Sequence, residues 1–313
     1  MANGSDSFRG ALGETGLPVA ITVAARGERS ESPLGQAIHR LRKSTTAVIG
    51  FFIVAALVLV ALFADVLAPD SPITSDQTQT FARPSLDHPL GTDQLGRDML
   101  SRVIHGTRVS LAVGVSSVVL ALFLGVPLGM IAGYYGGRVD SVIMRLMDLI
   151  LAFPIYLLAI ILMIIFTPTA GLIGTMKVVG AIAIVRIPIY ARLVRGSVLS
   201  IKEKEYIEAC RALGARDPSI VARHVLPNCL APIIVTTTLG IATSIIVEAT
   251  LSFLGLGTQP PTPSWGWDLK ANVAFIQANA WLSLFPGLAI FVTVLGFNLF
   301  GDGLRDALDP RLK

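Results

Sequence analysis

Charge is scarce in this sequence. Asp, Glu, Lys and Arg together make up 15% of the 313 residues, where an average soluble domain carries about 25%. Hydrophobic residues make up 53%, and mean hydropathy is +0.69. A soluble chain of this length cannot hide so much apolar surface, so the deficit argues for lipid as the solvent. Cysteine is scarce too. Two residues, Cys210 and Cys229, exclude a secreted scaffold held by disulfides. The hydrophobicity excludes an intrinsically disordered chain. The net charge is only +4, too little for a nucleic-acid binder, so the pI near 9.3 needs another origin.

What the sequence has instead is long apolar runs. A bilayer core of about 30 Å needs about 20 helical residues. Six stretches qualify: 47–64 (extended to 67), 109–133, 149–166, 178–193, 232–251 and 281–300. Backbone in lipid must satisfy its own hydrogen bonds, so the expected fold is all-α, with six transmembrane helices. The expected layout is a tail over 1–45, a first span over 46–67, an outer segment over 68–108, a five-helix core over 109–300 and a C-terminus over 301–313. Residues 17–25 are apolar but only nine long. They read as part of a cytoplasmic tail, with a signal-peptide core as the alternative.

Lys and Arg set the orientation. With the N-terminus inside, the inner segments hold eighteen of them, counting Arg192 at the inner end of the fourth stretch, against six outside. Both termini are therefore expected in the cytoplasm, and the basic pI is this bias. Both cysteines fall on the reduced side, so no disulfide is expected. In the second stretch, Ser117, Ala121, Gly125, Gly129 and Gly133, continuing to Gly137, recur every four residues. Such a small-residue face lets helix backbones approach closely, either at a seam with a partner subunit or within this chain's own bundle. Pro127 suits a kink in the same stretch.

The longest inner loop, 194–230, carries most information. A helix is expected over 201–213, with Tyr206, Cys210 and Leu213 on one face and Glu205, Glu208 and Arg211 on the rest. Gly214 suits the left-handed position that ends a helix. Asp217 followed by Pro218 reads as an N-cap and a first-turn proline, opening a second short helix that Pro227 ends. The result is an elbow outside the membrane, built to dock into another protein.

Glu208-Ala209-Cys210, three residues, Gly214, nine residues and His224-Val225-Leu226-Pro227 resemble the Glu-Ala-Ala loop of ABC importer permeases. The spacing matches in full; Cys210 stands where the family has a second alanine and His224 where it has isoleucine. Three further stretches, 88–111 (HPLGTDQLGRDMLSRVIHGTRVSL), 252–266 (SFLGLGTQPPTPSWG) and 300–313 (FGDGLRDALDPRLK), are similar to the C-type membrane subunit of dipeptide, oligopeptide and nickel ABC importers. The resemblance covers about residues 40–313. It implies the type I importer (MetI-like) permease fold in a bacterial inner membrane and a heterodimer with a second permease. It also implies two cytoplasmic ATPases and an extracytoplasmic solute-binding protein. On that resemblance Glu205, Glu208, Ala209, Cys210, Gly214, Asp217, Leu226 and Pro227 form the loop that couples to the ATPases, with peptides as the expected cargo and nickel, glutathione or another small solute as the alternative.

The chain has no Gly-x4-Gly-Lys-Ser/Thr phosphate loop; Arg42-Lys43-Ser44-Thr45 lacks the glycines. Nor does it have His-Glu-x2-His or Gly-x-Ser-x-Gly. No catalytic residue and no cofactor is expected on this chain, ATP and Mg being left to the partner ATPases. His39, His88, His105 and His224 lack metal-ligand spacing, so no metal is expected. Two ionisable residues lie within apolar stretches and are candidate pathway or gate residues. Glu248 reads as an outer gate or as a helix-to-helix hydrogen bond. Arg186 reads as a contact for a substrate carboxylate, or as a residue that snorkels or pairs with an acid of the partner. Asp148 reads as a boundary or pairing charge rather than as part of a proton relay. In the outer loop 257–281, Pro260, Pro261 and Pro263 stiffen the chain around Trp265 and Trp267. These two tryptophans are the candidate contacts for the binding protein, the alternative being a structural re-entry into the bilayer. An intramembrane enzyme would need paired carboxylates or a Ser–His arrangement at depth, and a secondary transporter would need a duplicated half; neither is seen.

Overall fold

The computed structural model describes residues 39–308. Most of the expected tail, the 17–25 stretch and residues 309–313 lie outside them. Among the described residues no strand forms beyond two isolated bridges, Thr92 with Asp98 and Ala170 with Gln259.

The first apolar stretch is α1 (Thr45–Leu62), which begins where the Ser44 hydroxyl accepts from the Ala47 N–H at 3.3 Å. It breaks at Phe63 and resumes as α2 (Ala64–Leu67). The second is α3 (Met99–Tyr135), capped by Asp98, whose carboxylate accepts from the Ser101 N–H at 2.7 Å. Ten residues precede the expected start at 109 because Ser101 and Arg102, polar by sequence, are buried inside this helix. The chain continues through α4 (Gly137–Leu151), α5 (Ile155–Phe166), α6 (Gly171–Lys202), α7 (Glu205–Ala212), α8 (Asp217–Ile220), α9 (Leu226–Phe253), α10 (Trp265–Asn272) and α11 (Trp281–Leu308).

Five helices are each long and apolar enough to cross a membrane: α1, α3, α6, α11 and the continuous rod from Asp217 to Phe253 that ends in α9. The third stretch departs from the expected single helix over 149–166. It is split between α4 and α5, which meet at an 89° bend. Pro154 causes the break: it lacks an N–H and pushes Phe153 away from helical backbone angles. The twelve residues of α5 cover only about 18 Å, so the sixth crossing needs the bent pair together.

The bundle is centred on α3 against α6. The small-residue ladder makes that approach. A Cβ on Gly125 would stand 2.8 Å from the Ile187 carbonyl oxygen, one on Gly129 2.3 Å from that of Ala191, and one on Gly133 2.8 Å from Val198 Cβ. Of the two readings of this ladder, the structure shows packing within the chain's own bundle. Gly137 is not part of it; no neighbour lies within 4 Å, and its φ of +56° serves the turn into α4. Val113, Ala159, Met163, Val178, Ile182 and Val247 then join α3, α5, α6 and α9 in one apolar core. The first span uses the same device against the last. A Cβ on Gly50 would stand 2.3 Å from the Phe300 nitrogen, and one on Gly303 2.2 Å from Ala47 Cβ.

Candidate functional site

The elbow forms at one end of the bundle. Its first helix is shorter than the expected 201–213, because α6 runs on to Lys202 before a break, and α7 begins only at Glu205. α7 ends as its sequence requires. Gly214 takes a φ of +79°, its N–H donates to Arg211 O at 2.9 Å, and the Ala215 N–H donates to Cys210 O at 3.1 Å. That pair of bonds is the Schellman arrangement, and glycine carries it without a Cβ penalty. The side chain that α7 buries is Ile207, fully covered beside Ile220, Val225 and Cys229. The expected apolar face is not the buried one: Cys210 is half-buried, while Tyr206 and Leu213 are exposed, Leu213 by 88%. Glu205, Glu208, Ala209 and Arg211 face outward. Both cysteines are free thiols.

The second half of the elbow differs from expectation in two places. Asp217 is not a cap; Arg216 holds that position and Asp217 is the first helical residue. The Asp217 carboxylate instead accepts from the Tyr134 hydroxyl at 2.6 Å, at the C-terminal end of α3. Arg211 lies over the same Tyr134 ring at 5.4 Å. Nor does Pro227 end the helix. A π-helical turn over Val221–Val225 carries the chain into α9, with Leu226 first and Pro227 next. A first-turn proline needs no N–H partner, so the elbow is rigidly continuous with a full-length span.

Deep in the bundle, Arg186 is 8% exposed and donates to the Thr243 hydroxyl of α9. Asp148 sits at the end of α4, where it pairs with Arg192.

The other end is a polar knot. Glu248 is fully buried and accepts from three serine hydroxyls: Ser252 at 2.8 Å, Ser264 at 3.0 Å and Ser110 at 3.1 Å. It thereby ties α9, α3 and the loop ahead of α10. Trp265 is fully buried as well; its Nε1–H donates to Val103 O at 3.0 Å, and its ring covers Gly106. Trp267 is half-buried, with Lys270 Nζ 4.6 Å from its ring centre. The sequence reading missed the neighbouring buried ion pair, in which Arg102 meets Asp268 through Nε at 2.7 Å and through Nη2, while Nη1 donates to Pro72 O at 2.9 Å. Burial pushes the Asp268 carboxyl above its usual value, and Arg102 pulls against that. The only sequence signal was that both residues lie in or beside the two stretches quoted above, with no hint that those stretches touch.

At the same end, Asp70, His88 and Asp98 bring one ligand atom each within 4.8 Å of one another, beside a polar cavity of about 510 Å³. That grouping was invisible in the spacing. Two of the three are already engaged, since Asp98 caps α3 and meets His88 Nδ1 at 3.0 Å and His88 Nε2 meets Gln79 Oε1 at 2.6 Å, while Asp70 Oδ2 stands 3.9 Å from His88 Nδ1.

Comparison with known proteins agrees with this architecture. Residues 125–313 match the family described as binding-protein-dependent transport system inner membrane component. Residues 32–84 match the N-terminal TM domain of oligopeptide transport permease C. The chain is 46% identical over 282 residues to the dipeptide transport system permease protein DppC of Alkalihalophilus pseudofirmus, covering 90% of this chain and 91% of the relative. It is 46% identical over 274 residues to the glutathione transport system permease protein GsiD of Pectobacterium atrosepticum, covering 87% and 89%. A chain of the MetNI methionine ABC transporter in an inward-facing conformation superposes with a TM-score of 0.55 at 20% identity, over 67% of this chain and 98% of that one; this likeness speaks for the fold alone. The elbow, the spans around it and these matches together place the chain in the family of binding-protein-dependent ABC importer permeases, among the C-type subunits.

Proposed function

We propose that this chain forms one half of the translocation path of an ATP-driven peptide importer and passes the ATPase motion into the membrane through the elbow. The observation that carries this reading is the elbow itself. Leu213 is 88% exposed next to outward Glu205, Glu208 and Arg211, outside any apolar span, while Ile207 and the Tyr134–Asp217 bond fix the same element to the bundle. An exposed apolar side chain ringed by charge on a rigid element suits a groove in a partner protein. Glu208 can supply charge-assisted hydrogen bonds there, and Gly214, Leu226 and Pro227 hold the angle at which motion enters α9. The partners are a second permease, two ATPases that bind ATP and Mg, and a solute-binding protein, in a bacterial inner membrane with both termini cytoplasmic.

Peptide as cargo rests on the dipeptide relatives. Glutathione, itself a tripeptide, is the second reading, favoured by the similar identity to the glutathione permease. At the outer end, half-buried Trp267 and the exposed Lys270 over its ring are the side available to a binding protein, since Trp265 is covered. Glu248 works there as a hydrogen-bond hub that keeps the outer ends of α3 and α9 together.

The test is reconstitution in proteoliposomes. With its second permease, ATPases and binding protein, the chain is expected to take up labelled dipeptide only when ATP is supplied. Alone it is expected to take up none. ATP-driven uptake by the lone chain would overturn the subunit reading, and a complete complex that moves glutathione but no dipeptide would establish the second cargo.

A further inference from the structure

We propose that Arg186, with the hydroxyls of Thr243 and Tyr190, is a carboxylate-binding site at the middle of the bundle. The naming of a solute as one source of that carboxylate rests on the peptide-import reading above.

The position is the first observation. α6 has 32 residues, and Arg186 is its sixteenth, so the guanidinium enters the bundle at the depth where an uncompensated charge is most expensive. It is 8% exposed, and among the described residues no Asp or Glu pairs with it. Arg97, Arg102, Arg108, Arg192 and Arg195, by contrast, each meet an aspartate. A guanidinium offers five N–H donors. Thr243 Oγ1 takes one of them.

The second observation is the set of polar atoms turned toward it. Tyr190, one helical turn further along, is fully buried, and its hydroxyl makes no hydrogen bond of normal geometry. Across from both stands Gly240 of α9. A Cβ at Gly240 would lie 2.6 Å from the Tyr190 oxygen and 3.3 Å from Arg186 Nη1. The glycine therefore makes the room in which the Tyr190 hydroxyl and Arg186 Nη1 stand side by side, and any side chain there would push one of them away. A small cavity of about 30 Å³ adjoins, lined by Arg186 and otherwise by Ile155, Ile182, Val185, Ile189 and Val247. Its apolar walls cannot balance a cation.

Burying an isolated charge costs far more than a protein of ordinary stability can spare, unless an opposite charge completes the site. The planar donor fork of arginine fits a carboxylate with two parallel hydrogen bonds, and a tyrosine hydroxyl can add a third. The ligand chemistry is therefore a carboxylate. It comes either from the C-terminus of a transported peptide or from an Asp or Glu of the adjoining permease subunit.

The two sources separate in one experiment on the complete transporter in proteoliposomes. Uptake of alanyl-alanine is compared with uptake of its C-terminal amide, for wild type, Arg186→Gln, Arg186→Lys and Tyr190→Phe, and the amount of second permease that co-purifies is measured. If the carboxylate is the solute's, Arg186→Gln lowers the acid-to-amide uptake ratio about tenfold or more with assembly intact. Arg186→Lys then restores part of the ratio, and Tyr190→Phe lowers it about threefold. If the carboxylate belongs to the second permease, Arg186→Gln lowers both uptakes together and reduces co-purification, while the lone chain keeps its wild-type melting temperature. Either pattern supports the site. A wild-type ratio together with wild-type assembly in Arg186→Gln overturns it. Should wild type import no dipeptide at all, the peptide reading fails by itself, and Arg186 is judged by the assembly measurement alone.

Discussion

Trp265 shows how depth decides what a residue does. From sequence, a tryptophan beside prolines near a membrane boundary reads as an interface residue. In the fold it is fully buried, with its N–H on the Val103 carbonyl and its ring over Gly106. Trp265→Ala is therefore expected to cost about 3–5 kcal/mol of stability, seen as a large drop in melting temperature and yield in detergent. Trp267→Ala, which loses a half-buried ring and its cation contact with Lys270, should cost no more than about 1 kcal/mol. Equal losses would contradict this placement. Arg102 makes the complementary case. Its charge is plain in the sequence, but its partner Asp268 lies 166 residues away, and no local pattern joins them. Arg102→Met leaves a buried carboxylate unpaired, at an expected cost of about 3–5 kcal/mol. Arg102→Met combined with Asp268→Leu should recover most of that in the same thermal measurement, and a double variant no better than the single one would refute the pairing.

At the scale of elements, hydropathy located the apolar stretches well and their ends poorly. The stretches over 47–64 and 281–300 lie within α1–α2 and α11; the break at Phe63 comes at the very end of the first, and Pro286 lies in the first two turns of the last. The third failed as a single helix because Pro154 acts locally, whereas a hydropathy window averages over it. The four-residue ladder was legible as a close approach, but a one-dimensional pattern cannot name the helix on the other side. In the elbow, the turn at Gly214 could be read because glycine's freedom is a property of the residue itself; the bond from Tyr134 to Asp217 could not, because it joins positions 83 residues apart. That bond is the elbow's polar tie to α3, so Tyr134→Phe is expected to leave the bundle folded and loosen the elbow. Hydrogen exchange of backbone amides over 205–220 should speed up several-fold, with α3 and α6 unchanged; an unaltered elbow would remove the tie from the account. Gly214→Val forces a β-branched residue into a φ of +79°, a strain of roughly 1–2 kcal/mol. The substituted chain should still enter the membrane but retain less ATPase on co-purification. Wild-type retention and wild-type stimulated turnover would show that the angle at Gly214 does not matter.

For the whole molecule, the two ends of the bundle carry different chemistry, and this makes orientation testable. One end holds the elbow, with Leu213 exposed. The other holds the knot around Glu248, Arg102 and Asp268, with the 68–98 segment packed on it through the contact of Arg102 with Pro72 O. On the proposed function, the excess of Lys and Arg on the elbow side is expected to put that end in the cytoplasm, on the side of the proposed ATPases. Two leucines are well placed to report it: Leu86 is fully exposed at the knot end and Leu213 is 88% exposed on the elbow. In a background with Cys210→Ser and Cys229→Ser, Leu86→Cys should react with an impermeant maleimide added to intact spheroplasts. Leu213→Cys should react only after the membrane is opened. Adding the partner ATPases should then slow labelling at position 213 about tenfold or more and leave position 86 unchanged, because docking covers one end alone. Labelling of 213 but not 86 in sealed spheroplasts would invert the molecule and remove the elbow from the ATPase side. Full labelling of 213 in the assembled complex would keep the orientation but take Leu213 out of the coupling contact.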